Sequence, residues 1–508
     1  MPQQTSAREL DCMFNTIKWF GLQAIFYFLT PYLWNYEYGV GAIVLILTYT
    51  TLYVIYGEYA PKESRFRWVL APYVVYLIIA IVLHIFTDNF ISSIWQCIFL
   101  PLFGLVCLIC TKVIGKYARK VRKKYKRGRT MVTIAIILFF VLLKTLSVFW
   151  MCRGNGTFDS EKKDIIERRN YLVDKLATTP QDVLNEMPSS IGTQFQGEWA
   201  LYSCSMLSAS LVNISKLYPE TQAENIKQIE KLINIVKSPE IRHYDTMRWG
   251  EDPLTNLDGD CSHVSYLSHL AWMICGYKEI GGGSKYNALL ADLCETMNRR
   301  LVASEGFNLP TYPGEAIYVP DMLVAIVALD KYADMNNGKY RSTVQKWVKK
   351  AQTDWIDNET GLLVSFLDDY GCQFEGAPVK GSYSALNCYY LSLIDESFAK
   401  SQYEQLKSLF WKDGMISGLK EYRDRTCYIG MDIDAGPILL QLSPSGTAFF
   451  AGSATFFNDK STRNKILRTA ETAGQTIKLG KKRHYLLANI ALVGESIMLA
   501  MRTNCNTP

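Results

Sequence analysis

The 508-residue sequence is poor in histidine, in charge and in paired cysteine motifs. It contains five histidines, and charged residues make up 20% of the chain. The thirteen cysteines are scattered, and the one pair with CxxC spacing, Cys107 and Cys110, lies within an apolar segment. That setting argues against a zinc or redox motif there, and the odd count leaves at least one thiol unpaired. We therefore predict neither a metal nor a cofactor.

The sequence also lacks the features of several protein classes. Basic and aromatic residues do not interleave as in RNA-binding proteins, and much of the net charge of +6 comes from one short basic loop, so no nucleic-acid partner is predicted. No signal peptide with a small-residue cleavage site is visible, which makes the first apolar segment a retained anchor. No repeat of fixed period is present, which disfavours an α-solenoid.

Long apolar segments are abundant in the first 150 residues. Five of them are long enough to cross a hydrocarbon core of about 30 Å; they cover 17–35, 38–56, 68–87, 90–111 and 131–150. Lysine and arginine lie in the second and fourth gaps, around 62–67 and 112–129, and are missing from the other two. The positive-inside rule then predicts a multi-pass membrane protein with a cytoplasmic N-terminus. Membrane lipids are the predicted partners of this domain, residues 1–152.

Residues 153–508 have an ordinary globular composition and a helical pattern. Apolar residues recur every three or four positions in about ten segments, among them 287–301, 340–351 and 485–501. Strand-like alternation is scarce, with 361–366 the best candidate. Helix hairpins joined by polar loops predict an all-α domain of the (α/α)6 toroid type outside the cytoplasm. Toroids of this kind collect their chemistry on the loops at one end.

The stretch from Arg248 to Leu270 is the most polar start of any predicted helix. It begins with Trp-Gly-Glu-Asp-Pro, which includes Trp249 and Asp252, and continues into Ser265-Tyr-Leu-Ser-His269. Because residues three and four apart share a helix face, Ser265, Tyr266 and His269 are predicted to face one pocket. A histidine there suits a proton shuttle; the alternative is a core histidine held by a neighbouring hydroxyl. His263 and His269 are six residues apart, a poor spacing for two metal ligands on one helix.

The segment Gly306–Asp321 is a loop stiffened by three prolines. It presents Tyr312, Glu315, Tyr318 and Asp321 just before an apolar helix. Asp321 is a good N-cap for that helix, and it is equally a candidate catalytic carboxylate. Glu315 has no evident capping role.

Three further stretches present polar side chains at helix starts or in turns. Glu198 suits the positive start of the helix that carries Tyr202 one turn later. Tyr383 begins a hydroxyl-rich helix and could donate a hydrogen bond to a substrate. Asp432 and Asp434 lie in a loop that could bind a polyol or an ion, or merely turn the chain; two acids are too few for a strong calcium prediction.

Several of these motifs, in order, resemble the linalool dehydratase/isomerase family, whose fold is an (α/α)6 barrel. They are Trp249–Pro253, Ser265–Leu270, Tyr312–Asp321, Gly381–Ala385 and Asp432–Gly436. The resemblance implies that His269 matches the family's active-site histidine and that Tyr202 and Tyr383 match two pocket tyrosines. The family's two active-site cysteines fall on Tyr312 and Asp321.

Three functions remain open at this point. The first is a membrane-anchored dehydratase or isomerase acting on a lipophilic alcohol, with His269 and Asp321 as the acid–base pair. The second is a glycan-acting hydrolase, lyase or epimerase, with Glu315 or Asp321 as the acid and Asp252 or Asp432 as its partner. The third is a non-catalytic binding module. Aromatic residues fit either a sugar or a terpenoid chain, and an oligomer is left open.

The candidate residues fall into two sets. The predicted catalytic residues are His269, Asp321, Tyr312 and Glu315. The predicted substrate-binding residues are Tyr202, Trp249, Asp252, Tyr266, Tyr318, Tyr383, Asp432 and Asp434.

Overall fold

The computed structural model describes residues 158–188, 192–374, 376–414, 416–424, 429–432, 434–474, 476–485, 488 and 491–506. The chain divides between Trp150 and Met151, and every described residue belongs to the second unit. The five predicted membrane spans lie outside the described residues, so they stay a prediction. Among the helices that are described, none combines the length and the apolar character needed to cross a bilayer.

The described residues are mostly helical, as the periodicity predicts. The helices are α1 (Phe158–Leu176), α2 (Pro180–Asn185), α3 (Thr193–Leu217), α4 (Gln222–Val236), α5 (Pro239–Trp249), α6 (Val264–Glu279), α7 (Asn287–Ala303), α8 (Val319–Met335), α9 (Arg341–Asp354), α10 (Gly381–Leu391), α11 (Glu396–Phe410), α12 (Pro444–Phe456), α13 (Lys460–Gly474) and α14 (Leu492–Arg502). Short 3-10 turns at Pro219–Thr221 and Ser284–Tyr286 precede α4 and α7.

The strands are short and pair antiparallel, two by two. The pairs are β1 (Ile317–Tyr318) with β2 (Phe366–Leu367), β3 (Trp411–Lys412) with β4 (Gly418–Leu419), β5 (Ile429–Asp432) with β6 (Gly436–Leu439), and β7 (Thr476–Leu479) with β8 (Lys482–Tyr485). The predicted strand at 361–366 is mostly irregular, with Leu363 in an isolated bridge and β2 beginning at Phe366. These strand pairs lie in the connections between helices, and in the described part of the chain they form no larger sheet.

Six helices form a closed ring. Each packs against the next in the order α3, α6, α8, α10, α12 and α14, and α14 packs back against α3. A second helix covers each of them from outside: α1, α4, α7, α9, α11 and α13. Inner and outer helices alternate along the chain, which is the architecture of an (α/α)6 toroid. The predicted helical barrel is confirmed for the described residues.

The sequence explains which helices lie inside. All eleven residues of α10 are buried, as are the residues of α6 from Val264 to Tyr277. A helix surrounded by other helices buries every face, whereas an outer helix needs only one apolar stripe. Helices α4 and α9 have such a stripe, with Ile229 and Trp347 among their buried residues and charged residues on the exposed side.

The two ends of the ring differ in their connections. Each of the first five inner helices is followed by its outer partner after a short turn of a few residues, as between α8 and α9, whereas the outer partner of α14 is α1. The connections from an outer helix to the next inner helix are much longer, as between α9 and α10 or α11 and α12. Because the chain alternates, all the long connections and all the inner-helix N-termini meet at one end. That end carries every candidate residue of the sequence analysis.

Buried ion pairs join the first and last parts of the ring. The carboxylate of Glu161, which is 2% exposed, accepts hydrogen bonds from Arg463 at 2.7 and 2.8 Å and from Arg502 at 2.8 Å. Arg168 donates to Glu495 at 2.8 Å. Burial alone would raise the pKa of Glu161, but the two arginines lower it from 4.5 to about 2. These contacts tie α1 to α13 and α14.

We expect Glu161→Gln to destabilise the barrel by roughly 3–5 kcal/mol at pH 7, because it leaves the buried Arg463 guanidinium without a counter-charge and leaves Arg502 with Asp164 alone. The folded pKa is depressed, so this stabilisation is present above the unfolded value of 4.5 and is lost as the pH falls toward 2. Urea unfolding at pH 7 and pH 3 checks both statements. Glu220→Gln, which removes an exposed pair with Lys162, is the control and should cost far less, because solvent screens that pair. Equal losses in the two variants would contradict the prediction.

Candidate active site

The site is built around Asp321, in the first turn of α8. The Tyr202 hydroxyl on α3 donates to Oδ1 of Asp321 at 2.9 Å, and the Thr311 hydroxyl donates to Oδ2 at 2.9 Å. Helix α8 begins at Val319, with Tyr318 at the N-cap, so the predicted N-cap role of Asp321 is wrong. The carboxylate instead points toward side chains of a neighbouring inner helix and of the loop before α8.

Burial raises the pKa of Asp321 from 3.8 to about 6. The hydrogen bonds from Thr311 and Tyr202 offset part of this rise in the pKa, and the charge of Asp434 contributes a smaller part of it. Asp321 is therefore ionised at pH 7, and it becomes protonated when the pH falls by only about one unit. Both properties suit a general base.

A second carboxyl group, Glu198, lies one helical turn before Tyr202 on α3. Burial, and next the negative charge of Asp321, raise its pKa from 4.5 to about 8. A hydrogen bond with Tyr312 and the charge of Arg248 lower it in part. Glu198 is therefore protonated at neutral pH, while Asp321 is ionised. We call Glu198 and Asp321 the carboxyl pair.

The members of the carboxyl pair and Tyr202 are only partly buried. They nevertheless lie on inner helices, which the ring surrounds with protein. A partly exposed side chain on an inner helix reaches solvent at an open end of the ring or in a space that the ring encloses. The carboxyl pair therefore faces a water-accessible space at the mouth of the ring.

Tyr312 connects the carboxyl pair to a chain of hydroxyl groups. Its hydroxyl lies 3.5 Å from Oγ of Ser265, which in turn lies 2.8 Å from the Tyr244 hydroxyl. The Arg248 guanidinium stacks over the Tyr312 ring at 4.3 Å from its centroid and pairs with Glu315 at 2.8 Å. Burial and the charge of Glu198 raise the pKa of Tyr312 well above its ordinary value, so it acts as a neutral donor. Glu315, by contrast, is a rim residue in an ion pair.

Three aromatic rings form one wall beside these groups. Tyr318, Phe366 and Tyr383 contact one another edge to face, with centroids 5.2 to 5.9 Å apart. The pairing of β1 with β2 brings Tyr318 opposite Phe366. Together they make a rigid apolar surface with two hydroxyl groups on it.

A charged cluster lies next to this wall. Lys380, just before α10, pairs with Asp432 at 3.0 Å and with Asp434 at 3.3 Å. Tyr422 donates to Asp432 at 3.1 Å, and Tyr383 is hydrogen-bonded to Asp434. Asp432 and Asp434, at the β5–β6 turn, are therefore linked to the aromatic wall by the ion pairs with Lys380 and the hydrogen bond with Tyr383. With the Arg248–Glu315 pair, they give the mouth of the cavity a polar rim.

His269 is buried behind Tyr202. It is 0% exposed, its ring centroid lies 4.4 Å from that of Tyr202, and its Nδ1 is 2.7 Å from Oγ of Ser205. Its Nε2 has no hydrogen-bond partner among the described residues. Burial lowers the pKa of His269 to about 3, so the imidazole is neutral at physiological pH. It is a poor proton acceptor there, and its contact with Tyr202 makes it a positioning residue.

Three predicted binding residues lie away from the carboxyl pair. Tyr266 is fully buried and donates to the Val236 carbonyl at 3.0 Å, because successive helix residues are turned by about 100° and it faces α4. Its assignment to the same face as Ser265 and His269 is wrong. Asp252 pairs with Arg242 at 2.7 Å and accepts from the Leu254 amide, so it organises its own loop. Trp249 packs against His263 at 5.4 Å.

Three residues of the site are not among the sequence candidates: Glu198, Thr311 and Arg248. The signal for Glu198 is its spacing, since a carboxyl group four residues before Tyr202 shares the face that turns inward. A helix-start role explains Glu198 equally well in the sequence. Thr311 lies in the predicted loop before α8, but nothing in the sequence distinguishes its hydroxyl from others there. Arg248 acts through a contact with Glu315, 67 residues away, which the local sequence does not indicate.

Comparison with known proteins identifies no family. No family model and no curated protein sequence matches the chain. Among solved structures, a family 105 glycoside hydrolase from C. acetobutylicum ATCC 824 aligns with a TM-score of 0.44 at 12% identity, covering 59% of this chain and 92% of that one. An unsaturated glucuronyl hydrolase specific for heparin aligns with a TM-score of 0.39 at 10% identity, covering 60% and 85%. Similarity at this level assigns neither a family nor a substrate.

Proposed function

We propose that the barrel is an enzyme that cleaves a carbon–oxygen bond of a glycan by acid–base catalysis. The observation that carries the proposal is the carboxyl pair, in which one group is protonated and the other ionised at the same pH. Two carboxyl groups whose environments separate their pKa values define an acid and a base. Glu198 protonates the departing oxygen, and Asp321 takes a proton from the attacking water.

The surroundings of the carboxyl pair support a polyhydroxylated substrate. The wall of Tyr318, Phe366 and Tyr383 offers an apolar aromatic surface with two hydroxyl groups, against which a sugar ring packs. The rim pairs Arg248–Glu315 and Lys380–Asp432 supply charged donors and acceptors for hydroxyl or carboxylate groups. A binding site for a hydrocarbon chain gains nothing from such a rim, because desolvating charged groups costs free energy.

The test is a panel of polysaccharides and oligosaccharides, including unsaturated ones, incubated with the purified full-length chain. Release of new reducing ends, absent in a Glu198→Gln, Asp321→Asn double variant, supports the proposal. Activity that survives in the double variant, or no activity across the panel, counts against it.

A second candidate is dehydration or isomerisation of a lipophilic allylic alcohol. One observation favours it: Tyr312 and Asp321, the positions that the resemblance assigns to the family's cysteines, both contact groups of one cavity. Here Glu198 would protonate the hydroxyl group and Asp321 would remove a proton from carbon. Incubation with C10 allylic alcohols and gas chromatography of the alkene products distinguishes this function from glycan cleavage.

We expect Tyr202→Phe to move the acidic limb of the pH–rate profile upward by roughly 1 unit. The change removes a hydrogen bond to the Asp321 carboxylate, and a bond to a charged group is worth about 1.5 kcal/mol, or about 1 pKa unit. The measurement is kcat/KM between pH 4 and pH 9 on the active substrate, where about 5 to 7 is the decisive range. Tyr266→Phe, whose hydroxyl bonds only a backbone carbonyl, is the control and should leave the limb in place. An unmoved limb in Tyr202→Phe would show that Asp321 does not set it.

A further inference from the structure

Three side chains with metal-binding atoms meet beside the start of α6. They are Glu251, just after α5, Cys261, and His263, the residue before α6. One carboxylate oxygen, the thiol sulfur and one imidazole nitrogen lie within 4.8 Å of one another. A thiol, an imidazole and a carboxylate form a mixed donor set rather than a group of exposed acids.

The orientation of His263 is fixed by a buried carboxylate. Its Nδ1 lies 2.5 Å from Oδ2 of Asp245 on α5, and both side chains are 0% exposed. The other nitrogen, Nε2, faces Glu251 at 3.3 Å. In metal sites, a histidine ligand characteristically donates its second N–H to a carboxylate, which fixes the ring and raises its basicity. Asp245 is in the position of that supporting carboxylate.

We propose that Glu251, Cys261 and His263 bind one zinc ion. Zinc takes sulfur, nitrogen and oxygen ligands in tetrahedral geometry, whereas calcium and magnesium bind through oxygen. Bond lengths of about 2.0–2.3 Å place tetrahedral ligands roughly 3.3–3.8 Å apart, so the three atoms close on the ion by moving about 1 Å. The carboxylate and the thiolate neutralise its double charge, and water fills the fourth position.

The sequence prediction of no metal rests on the scattered cysteines and on the six-residue spacing of His263 and His269, and neither observation bears on this set. The ligands come from both ends of the α5–α6 loop: Glu251 is ten residues before Cys261, and Cys261 is two residues before His263. These spacings match no common zinc-binding motif, and it is the fold of the loop that brings Glu251 close to Cys261. Asp245 lies a further six residues before Glu251, on the preceding helix.

The metal has a positioning role that is separate from the proposed bond cleavage. It ties the end of α5 to the start of α6 through Glu251 and His263. Ser265, two residues beyond His263, links the Tyr244 hydroxyl to that of Tyr312. Holding α5 and α6 together therefore keeps Tyr312 beside Glu198.

Cobalt binding to the full-length chain tests the site without any substrate. After removal of metal with a chelator, Co²⁺ is titrated while the thiolate-to-cobalt charge-transfer band is recorded, and Zn²⁺ is then added in competition. We expect one equivalent of Co²⁺ per chain, with a band that Zn²⁺ abolishes. Cys261→Ser should lose the band, and Cys372→Ser, at an exposed cysteine, should keep it. Asp245→Asn should keep the band and weaken Zn²⁺ binding by roughly 10–100-fold.

Two results with the wild-type protein and Cys261→Ser would overturn the proposal. One is a wild-type protein that shows no charge-transfer band, and the other is a band that persists in Cys261→Ser. Glu251→Gln covers the case in which Cys261→Ser fails to fold: it keeps the thiolate band but weakens binding by about tenfold or more, and unchanged affinity rejects the site. Because none of these readouts depends on turnover, failure of the glycan proposal leaves them intact.

Discussion

Replacing Asp321 by asparagine lowers kcat by about 10²–10⁴-fold, the usual contribution of a positioned acid or base. The asparagine fills the same volume and keeps an oxygen to accept from Tyr202, so the barrel folds and the chemistry alone is lost. The measurement is kcat on the substrate that the panel identifies, together with a thermal unfolding curve of each protein.

Asp334→Asn is the matched control, because Asp334 lies on the same helix but is mostly exposed and pairs with Arg341. It should leave kcat unchanged. An Asp321→Asn protein with wild-type kcat would remove Asp321 from the mechanism, and equal losses in both variants would mean that α8 itself was disturbed.

The same substitution has a second consequence, because the charge of Asp321 contributes to the raised pKa of Glu198. Without that charge, Glu198 ionises at a lower pH. The two groups titrate as a coupled pair, so the effect should be reciprocal. It can be observed by infrared spectroscopy of the protonated carboxyl group, with no substrate present.

Much of the helical framework follows from local sequence. The 3.6-residue periodicity predicts helices at 287–301 and 340–351, and the structure has them at Asn287–Ala303 and Arg341–Asp354. The helical pattern fails to predict the structure where a segment pairs with another as a β-strand. A helix predicted from Tyr485 begins at Leu492, because Tyr485 ends strand β8, which pairs with β7. Strands β7 and β8 have four residues each, which is too short for a period of two to stand out in the sequence.

The candidate site also combines residues that local sequence predicts with residues whose role depends on tertiary contacts. Asp321 and Tyr383 lie in the first turns of α8 and α10, and an alternating toroid brings inner-helix starts to one end, so their neighbourhood follows from the fold class. Tyr202 is the tenth residue of α3, because that helix begins at Thr193. Glu198 is different, because its role depends on distance from Asp321, which lies 123 positions further along the chain. His269 is different again: the sequence places it near the site, but only its complete burial makes it neutral.

The second large effect is expected from Glu198→Gln, which removes the proposed acid. Asp321 must be ionised, so activity rises as the pH passes about 6; Glu198 must be protonated, so activity falls as the pH passes about 8. The wild-type profile of kcat/KM is therefore a bell centred near pH 7. In Glu198→Gln, kcat on a natural glycan falls by about 10²–10⁴-fold, and the basic limb disappears.

The leaving group provides the sharpest control for this prediction. An aryl glycoside that releases 4-nitrophenolate needs no proton from an acid, since its leaving group is already a weak base. Glu198→Gln should therefore retain most of its activity on the aryl glycoside, whereas Asp321→Asn should lose activity on both substrates. Equal losses of Glu198→Gln on the two substrates would mean that Glu198 holds the site together rather than donating a proton. A protonated-carboxyl infrared band at neutral pH, present in the wild type and missing in Glu198→Gln, would then be the independent evidence on its protonation state.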